Sequence, residues 1–282
     1  MNPTTDWFDV SQITENCTQI TETENVRMFL VTGTEKTLLV DAGRGVGDLA
    51  GLVSGLTDNP VELLLTHWHW DHIGNAAAFS PVYIHPSERA DDGRVTIDAV
   101  TDEWVDSPSN FIDDWQASGN ELPDSFDAST YAIDPVPASQ VITIEDGESI
   151  DVGDRELVAH HTPGHTPGHL VFLDAEDSIL YGGDLLHLNR GLFLHFETGD
   201  VEACLETFER VTELYESNAF ETLVTGHNEP ISGDELDLLY NLRDGLEAIL
   251  GNELEYELID SGFGQARQYI IQDVPVLTQP NI

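Results

Sequence analysis

Lysine is almost missing from this 282-residue chain. Lys36 is the only one, and Lys and Arg together number 10 against 53 Asp and Glu. No basic stripe is available to meet a polyanion, which excludes a nucleic-acid partner of the usual electrostatic kind. Cysteine is equally scarce. Cys17 and Cys204 lie far apart and form no C-x-x-C pair, so neither a thiolate zinc site nor a disulfide framework is expected. No apolar run approaches the length of a membrane span, and the opening MNPTTDWFDV has neither the basic start nor the apolar stretch of a signal peptide. The expectation is a cytoplasmic protein with no membrane partner.

The missing cations leave a formal net charge of −43, with acidic residues spread along the chain rather than gathered in a tail. Five Trp, eleven Phe and 40% hydrophobic residues are the composition of a folded chain, long enough to bury a core without a disulfide or metal to staple it. So much self-repulsion fits a salt-rich solvent, where like charges are screened over short distances. The expected source is an extreme halophile. Cys204 falls on the apolar stripe Val201, Leu205, Phe208, Val211, Leu214 of DVEACLETFERVTELY, which predicts a core thiol.

Short apolar or β-branched runs that end in Gly or His read as strands: VRMFLVTG, TLLVDAG and VELLLTH, then VITI, RELVAHHT, HLVFLDA and SILYGGD. HIGNAAAF predicts a short helix with Asp71 and His72 near its start. Longer helices are predicted from about Asp200 to Tyr215 and from about Asp234 to Leu250, with the strand ETLVTGH between them and a last strand in ARQYIIQDV. Strands in both halves, with helices between and after them, predict a layered α/β (α+β) sandwich. The whole chain is expected to be one domain, 1–282. It carries an acidic, aromatic and irregular insertion at about 87–137 and a helix–strand extension at about 234–282. Trp104, Phe111 and Trp115 of the insertion are candidate apolar substrate contacts.

The densest chemistry is in THWHWDHIGN, where His67, His69, Asp71 and His72 fall within six residues. Imidazole and carboxylate are ligands that zinc and similar divalent ions select, and without a cation such a cluster would be poorly paired if buried. H-x-H-x-D-H alone closes no coordination shell. Further ligand types stand at other strand ends: His165 in HTPGHTPGH, Asp184 in LYGGD and His227 in LVTGH. All seven offer N or O donors.

Taken in order, Asp41 in LLVDAG, THWHWDH, TPGHTPGH, YGGD and VTGH resemble the metallo-β-lactamase-fold hydrolase superfamily, with glyoxalase II-like members the nearest likeness. The resemblance implies a four-layer αββα sandwich with two divalent metal ions, zinc first and iron or manganese as alternatives. It implies that His67, His69 and His165 hold one ion, that Asp71, His72 and His227 hold the other, and that Asp184 bridges both. Asp41 corresponds to a structural aspartate rather than a ligand. Asp71 and Asp184 are the candidate catalytic carboxylates. Two ions sharing a water would supply a metal-bridging hydroxide at neutral pH. The implied reaction is hydrolysis of a carboxylic ester, thioester or lactone of a small-molecule substrate, with a phosphodiester as the enzymatic alternative. A metal-containing ligand-binding or regulatory module with little turnover is the alternative of another class. A di-iron oxygen or nitric-oxide reductase is disfavoured, since those members carry an acidic residue where His69 stands. Between Asp244 and the C-terminus Arg267 is the only basic residue, which argues against glutathione thioesters. His187, His195, Trp104 and Trp115 are the candidate substrate contacts. The sequence leaves the oligomeric state open, and a dimer is compatible with it.

Overall fold

The computed structural model describes residues 7–23, 26–188 and 190–282. The chain divides into two compact units, Met1–Ile144 with Ile150–Glu156, and Glu145–Ser149 with Leu157–Ile282. The first unit holds a seven-stranded sheet whose spatial order follows the chain: β1 (Phe8–Gln12), β2 (Cys17–Glu22), β3 (Val26–Thr32), β4 (Thr37–Val40), β5 (Val61–Leu64), β6 (Val82–Ile84) and β7 (Val141–Thr143). The pairings from β1 to β4 are antiparallel and those from β4 to β7 parallel. Chain length decides this, because parallel neighbours need a crossover. The crossovers carry α1 (Leu49–Leu56), α2 (Trp70–Ile73) and, inside the insertion, α3 (Ser107–Ala117). β4 is buried at every position, as its unbroken run TLLV demands. Met28, Leu30, Leu39, Leu49, Leu63 and Val82 belong to the unit's core.

The insertion is more regular than its composition suggests. α3 spans 11 residues and buries Ile112, and Val95 and Val136 form a bridge. Phe111, Trp115, Phe126 and Tyr131 pack against the core of the first unit. The Tyr131 hydroxyl donates to the carbonyl of Arg44.

The second unit contains β9 (Glu156–His161), β10 (Leu170–Asp174), β11 (Ile179–Tyr181), β13 (Thr222–Val224) and β14 (Ile231–Ser232) in a six-stranded sheet of order β14-β13-β11-β10-β9-β8. Its edge strand β8 (Ser149–Asp151) straddles the division between the units. A four-stranded sheet runs β12 (Leu192–Leu194), β17 (Val274–Thr278), β16 (Gln265–Ile271), β15 (Glu257–Asp260). α4 (Val201–Glu216) begins where Asp200 accepts from the Ala203 N–H at 3.0 Å, an N-cap that satisfies an otherwise orphan donor. Cys204 is buried on α4 with Val201, Phe208 and Val211, and burial pushes its thiol well above the usual range. It is the core thiol that the stripe predicts. The helix expected from Asp234 opens instead as a 3-10 turn, Gly233–Asp237, and becomes α5 at Leu238–Leu250. A Cβ on Gly245 would lie 2.2 Å from Ile271 Cδ1, so glycine lets the Ile271 side chain of β16 pack close against α5. Among the described residues no helix is long and apolar enough to cross a membrane.

Candidate metal centre

In the first unit, parallel pairing of β4 with β5 brings their C-terminal ends side by side, with Asp41 just past one and Thr66 just past the other. Asp41 takes the left-handed backbone region (φ 63°), uncommon for a residue with a side chain. Its buried carboxylate accepts from the Thr66 N–H at 2.8 Å, from the Thr66 hydroxyl at 2.9 Å and from His72 Nδ1 at 2.8 Å. A hydroxyl that donates to Asp41 is left to accept, and His67 Nδ1 lies 3.0 Å from it. The bonds therefore place the proton of both imidazoles on Nδ1 and leave Nε2 as the ligand atom. Metal-bound histidines show this arrangement, in which the second ring nitrogen is anchored to an oxygen.

Backbone closure fixes the helix that follows. The Ala42 N–H donates to the His72 carbonyl and the Gly74 N–H to the Gly43 carbonyl, each at 2.7 Å. A Cβ on Gly74 would sit 2.1 Å from the carbonyl carbon of Arg44, so only glycine permits the approach. Asp71 thereby lies in the first turn of α2, as expected, with Oδ1 3.9 Å from His72 Nε2. The His67 ring centroid lies 4.5 Å from that of His69 and 4.2 Å from that of His72. Between the first two ligands, the Trp68 N–H donates to Glu88 Oε2 at 3.0 Å, with both residues fully buried. Trp104 lies 4.4 Å from the ring of His69, so it packs on a candidate ligand. Trp115 sits farther along, 5.4 Å from Trp7 and 5.8 Å from Phe111.

A second buried network supports the same loop. Glu22 accepts from Trp7 Nε1 at 2.6 Å and from the Arg44 N–H at 2.7 Å. Burial pushes its carboxyl above the ordinary carboxylate range, while the Arg44 guanidinium pulls it down. That guanidinium stacks 4.6 Å from the Phe111 ring.

Asp41→Ala is expected to lower stability by about 3 kcal/mol, because it strands the Thr66 N–H and His72 Nδ1–H in a buried site. Denaturant unfolding at constant salt checks this. A loss below about 1 kcal/mol would mean that the carboxylate organises neither group.

In the second unit, His165 occupies the Pro/Gly turn between β9 and β10. Gly164 has φ +132°, and a Cβ there would meet Cys204 Cα of α4 at 2.6 Å. His165 Nδ1 donates to the Phe193 carbonyl at 3.0 Å, which again leaves Nε2, here 3.5 Å from Asp184 Oδ2. β11 and β13 pair in parallel, and their ends present Asp184 and His227. His227 Nε2 is 3.2 Å from Asp184 Oδ1. The carboxylate thus offers one oxygen to each imidazole. His169 holds it in place: its Nε2 accepts from the Asp184 N–H at 3.1 Å and its Nδ1 donates to the Thr162 hydroxyl at 2.9 Å. Asn228 ties down the next loop, accepting from the Leu188 N–H at 2.9 Å and donating to the Leu186 carbonyl at 2.7 Å. His187 lies 4.9 Å, ring to ring, from His227. His195 stacks 4.3 Å from Phe196. Burial, with a smaller contribution from His165, brings its pKa down to about 4, so it is neutral at pH 7.

The first unit thus brings His67, His69, Asp71 and His72 together, and the second His165, Asp184 and His227. Buried Nε2 atoms with oriented partners, joined by carboxylate oxygens, fit divalent ions that accept mixed N and O donors. Sequence reasoning did not single out Thr66, Glu88, Thr162 or Asn228. Thr66 and Asn228 adjoin ligand positions and could have been suspected for that reason, whereas Glu88 gives no local signal.

A family model described as the metallo-beta-lactamase superfamily matches residues 22–227. An acyl-coenzyme A thioesterase MBLAC2 from Gallus gallus is 27% identical over 222 residues, covering 74% of each chain. The protein of that name from Homo sapiens is 26% identical over 226 residues, 74% of this chain and 75% of its own. Among solved structures, a metallo-beta-lactamase from Pontibacter korlensis superposes with a TM-score of 0.57 at 18% identity, covering 85% of this chain and 99% of the other. That likeness bears out the mixed α/β fold of metallo-β-lactamase type.

Proposed function

Because the chain belongs to the metallo-β-lactamase superfamily, we propose that it is a binuclear metal-dependent hydrolase of thioesters, with carboxylic esters and lactones as chemically related substrates. The observation that carries this reading is the anchoring of His67, His72 and His165 through Nδ1, which leaves each Nε2 as a ligand atom. In this reading His67, His69 and His165 hold one ion, Asp71, His72 and His227 the other, and Asp184 both. Zinc is the first choice for this donor set, followed by iron or manganese. The bound ions would activate a water near neutral pH and polarise the acyl carbonyl. The chain's own residues set the geometry. Asp41 and Thr66 hold the rings of His72 and His67, His169 holds the backbone of Asp184, and Asp71 would orient the activated water through a carboxylate oxygen. The relatives' name, acyl-coenzyme A thioesterase, supports thioesters over the other acyl substrates at modest identity. The acidic composition supports a salt-rich cytoplasm as the setting.

The test is a panel of thioesters, lactones and phosphodiesters, assayed in concentrated KCl on protein whose metal content has been measured. Thioesters are expected to be turned over fastest, with activity lost to a chelator and restored by zinc. Faster phosphodiester turnover, or no turnover by protein holding two ions, would overturn the reading. The second outcome would favour a binding or regulatory module.

A further inference from the structure

An aromatic row in the second unit leads away from one candidate ligand, and its other members have no part in the ligand scheme. It starts at His165, whose ring lies 6.1 Å from Phe196, and Phe196 lies 5.3 Å from Phe263. Phe193 and His195 flank it, each within 6 Å of Phe196. Strand alternation explains the layout: Leu192 and Leu194 of β12 point into the core, which turns Phe193 and His195 to the other face. Phe263 comes from the tip of the β15–β16 hairpin. It is flanked by Gly262 and Gly264, both at positive φ, and is 53% exposed. One exposed Phe means little. An exposed Phe continuous with a row that ends on a candidate metal ligand has a use for its exposure.

His195 adds an independent observation. Both of its ring nitrogens are buried, and neither has a hydrogen-bond partner among the described residues. A polar group held unsatisfied among apolar rings costs free energy, and the cost is recovered if a ligand supplies the missing partner. The tip also lies beyond residue 227, where the match to the family model ends, and loops held on a rigid scaffold are where binding specificity is commonly set.

We propose that Phe193, His195, Phe196 and Phe263 form the acyl subsite. It takes an unbranched apolar chain that runs from the reacting carbonyl near His165 out to Phe263, with His195 hydrogen-bonding a polar group of the substrate close to the carbonyl. The proposal deepens the thioesterase reading and rests on it for the identity of the reacting group. The probes are neutral, so that the length of the apolar chain is the variable: acetyl and dodecanoyl thioesters of N-acetylcysteamine, and the non-hydrolysable dodecyl thioether of the same thiol.

On zinc-loaded protein in concentrated KCl, Phe263→Ala is expected to lower kcat/KM for the dodecanoyl thioester roughly ten-fold and for the acetyl thioester less than two-fold. The Kd of the dodecyl thioether should weaken by a similar factor, with metal content unchanged. His195→Phe keeps the aromatic wall and removes the nitrogens. It should preserve the dependence on chain length while raising KM for both acyl lengths. Equal losses for both thioesters in Phe263→Ala, or an unchanged thioether Kd, would overturn the subsite, and an unchanged KM in His195→Phe would overturn the role of that ring. If the wild-type protein hydrolyses no thioester but Phe263→Ala still weakens thioether binding, the hydrolase reading fails and the apolar subsite stands. If thioesters are hydrolysed and Phe263→Ala leaves the preference unmoved, the reverse holds.

Discussion

Asp184→Asn is expected to lower kcat by at least about a thousand-fold, while His187→Ala lowers it less than ten-fold. The two residues sit three apart in the same loop, yet only Asp184 places a carboxylate oxygen near each of two imidazoles, 3.5 Å from His165 Nε2 and 3.2 Å from His227 Nε2. Asparagine keeps the shape but loses the charge, and its NH2 group turns a donor toward one of the two positions that need an acceptor. Metal content should fall from about two ions per chain toward one. His187 contacts the ring of His227 without meeting the carboxylate in this way, so its removal should leave metal content near two. Elemental analysis beside a thioester assay at fixed KCl separates the variants. Equal losses of metal and turnover would show that Asp184 does not serve both ions. His169→Ala provides an intermediate case, since it frees the Asp184 N–H that His169 Nε2 now accepts and disturbs the orientation of the carboxylate but not its chemistry.

His67, His165, Asp184 and His227, four of the seven candidate ligands, stand out in the sequence because each falls where a strand run stops and a turn signal starts: VELLLTH, the doubled TPGH, LYGGD and LVTGH; His69, Asp71 and His72 stand out by their spacing behind His67. Such positions project side chains beyond a sheet edge whatever the packing around them. The groups that orient the candidate ligands are harder to read, because they act across long stretches of chain. Asp41, which only the motif resemblance singles out, reaches His72 over 31 residues, and Glu88, with no local signal, reaches Trp68 over 20. His169 supports the Asp184 backbone through its bond to the Asp184 N–H, and its other nitrogen is held by Thr162. Among the elements, α1 was hidden because LAGLVSGL mixes two glycines into an apolar run, although Asp48 caps its start by accepting from the Gly51 N–H. α3 was hidden because SPSNFIDDWQA buries only Pro108 and Ile112, too few for a helical stripe to stand out. β1 is short and sets only Phe8 and Val10 among polar residues, and β2 has Cys17 and Ile20 as its only apolar residues, so the two pair through backbone rather than through a hydrophobic run.

Dialysis from concentrated KCl into about 10 mM salt is expected to unfold the protein even with zinc bound. The physical cause is the surface rather than the interior. The buried carboxylates of Glu22, Asp41 and Glu88 accept hydrogen bonds, so their charge is met locally. The surface has few cations to offer: the ion pairs of Lys36 with Glu62, Arg94 with Asp92 and Arg243 with Asp244 are at least partly exposed and contribute little each. What remains of a net charge of −43 must be screened by solvent. The Debye length is about 3 Å at 1 M salt and about 30 Å at 0.01 M, so at low salt each carboxylate repels many others at once. Far-UV circular dichroism through the dialysis should show cooperative loss of structure, reversed by KCl but not by an equal osmolality of sucrose, which strengthens burial without screening charge. Rescue by sucrose alone would assign the salt effect to hydrophobic burial. A fold that stays intact in dilute buffer would mean that the charge serves solubility and that no salt-rich setting is required.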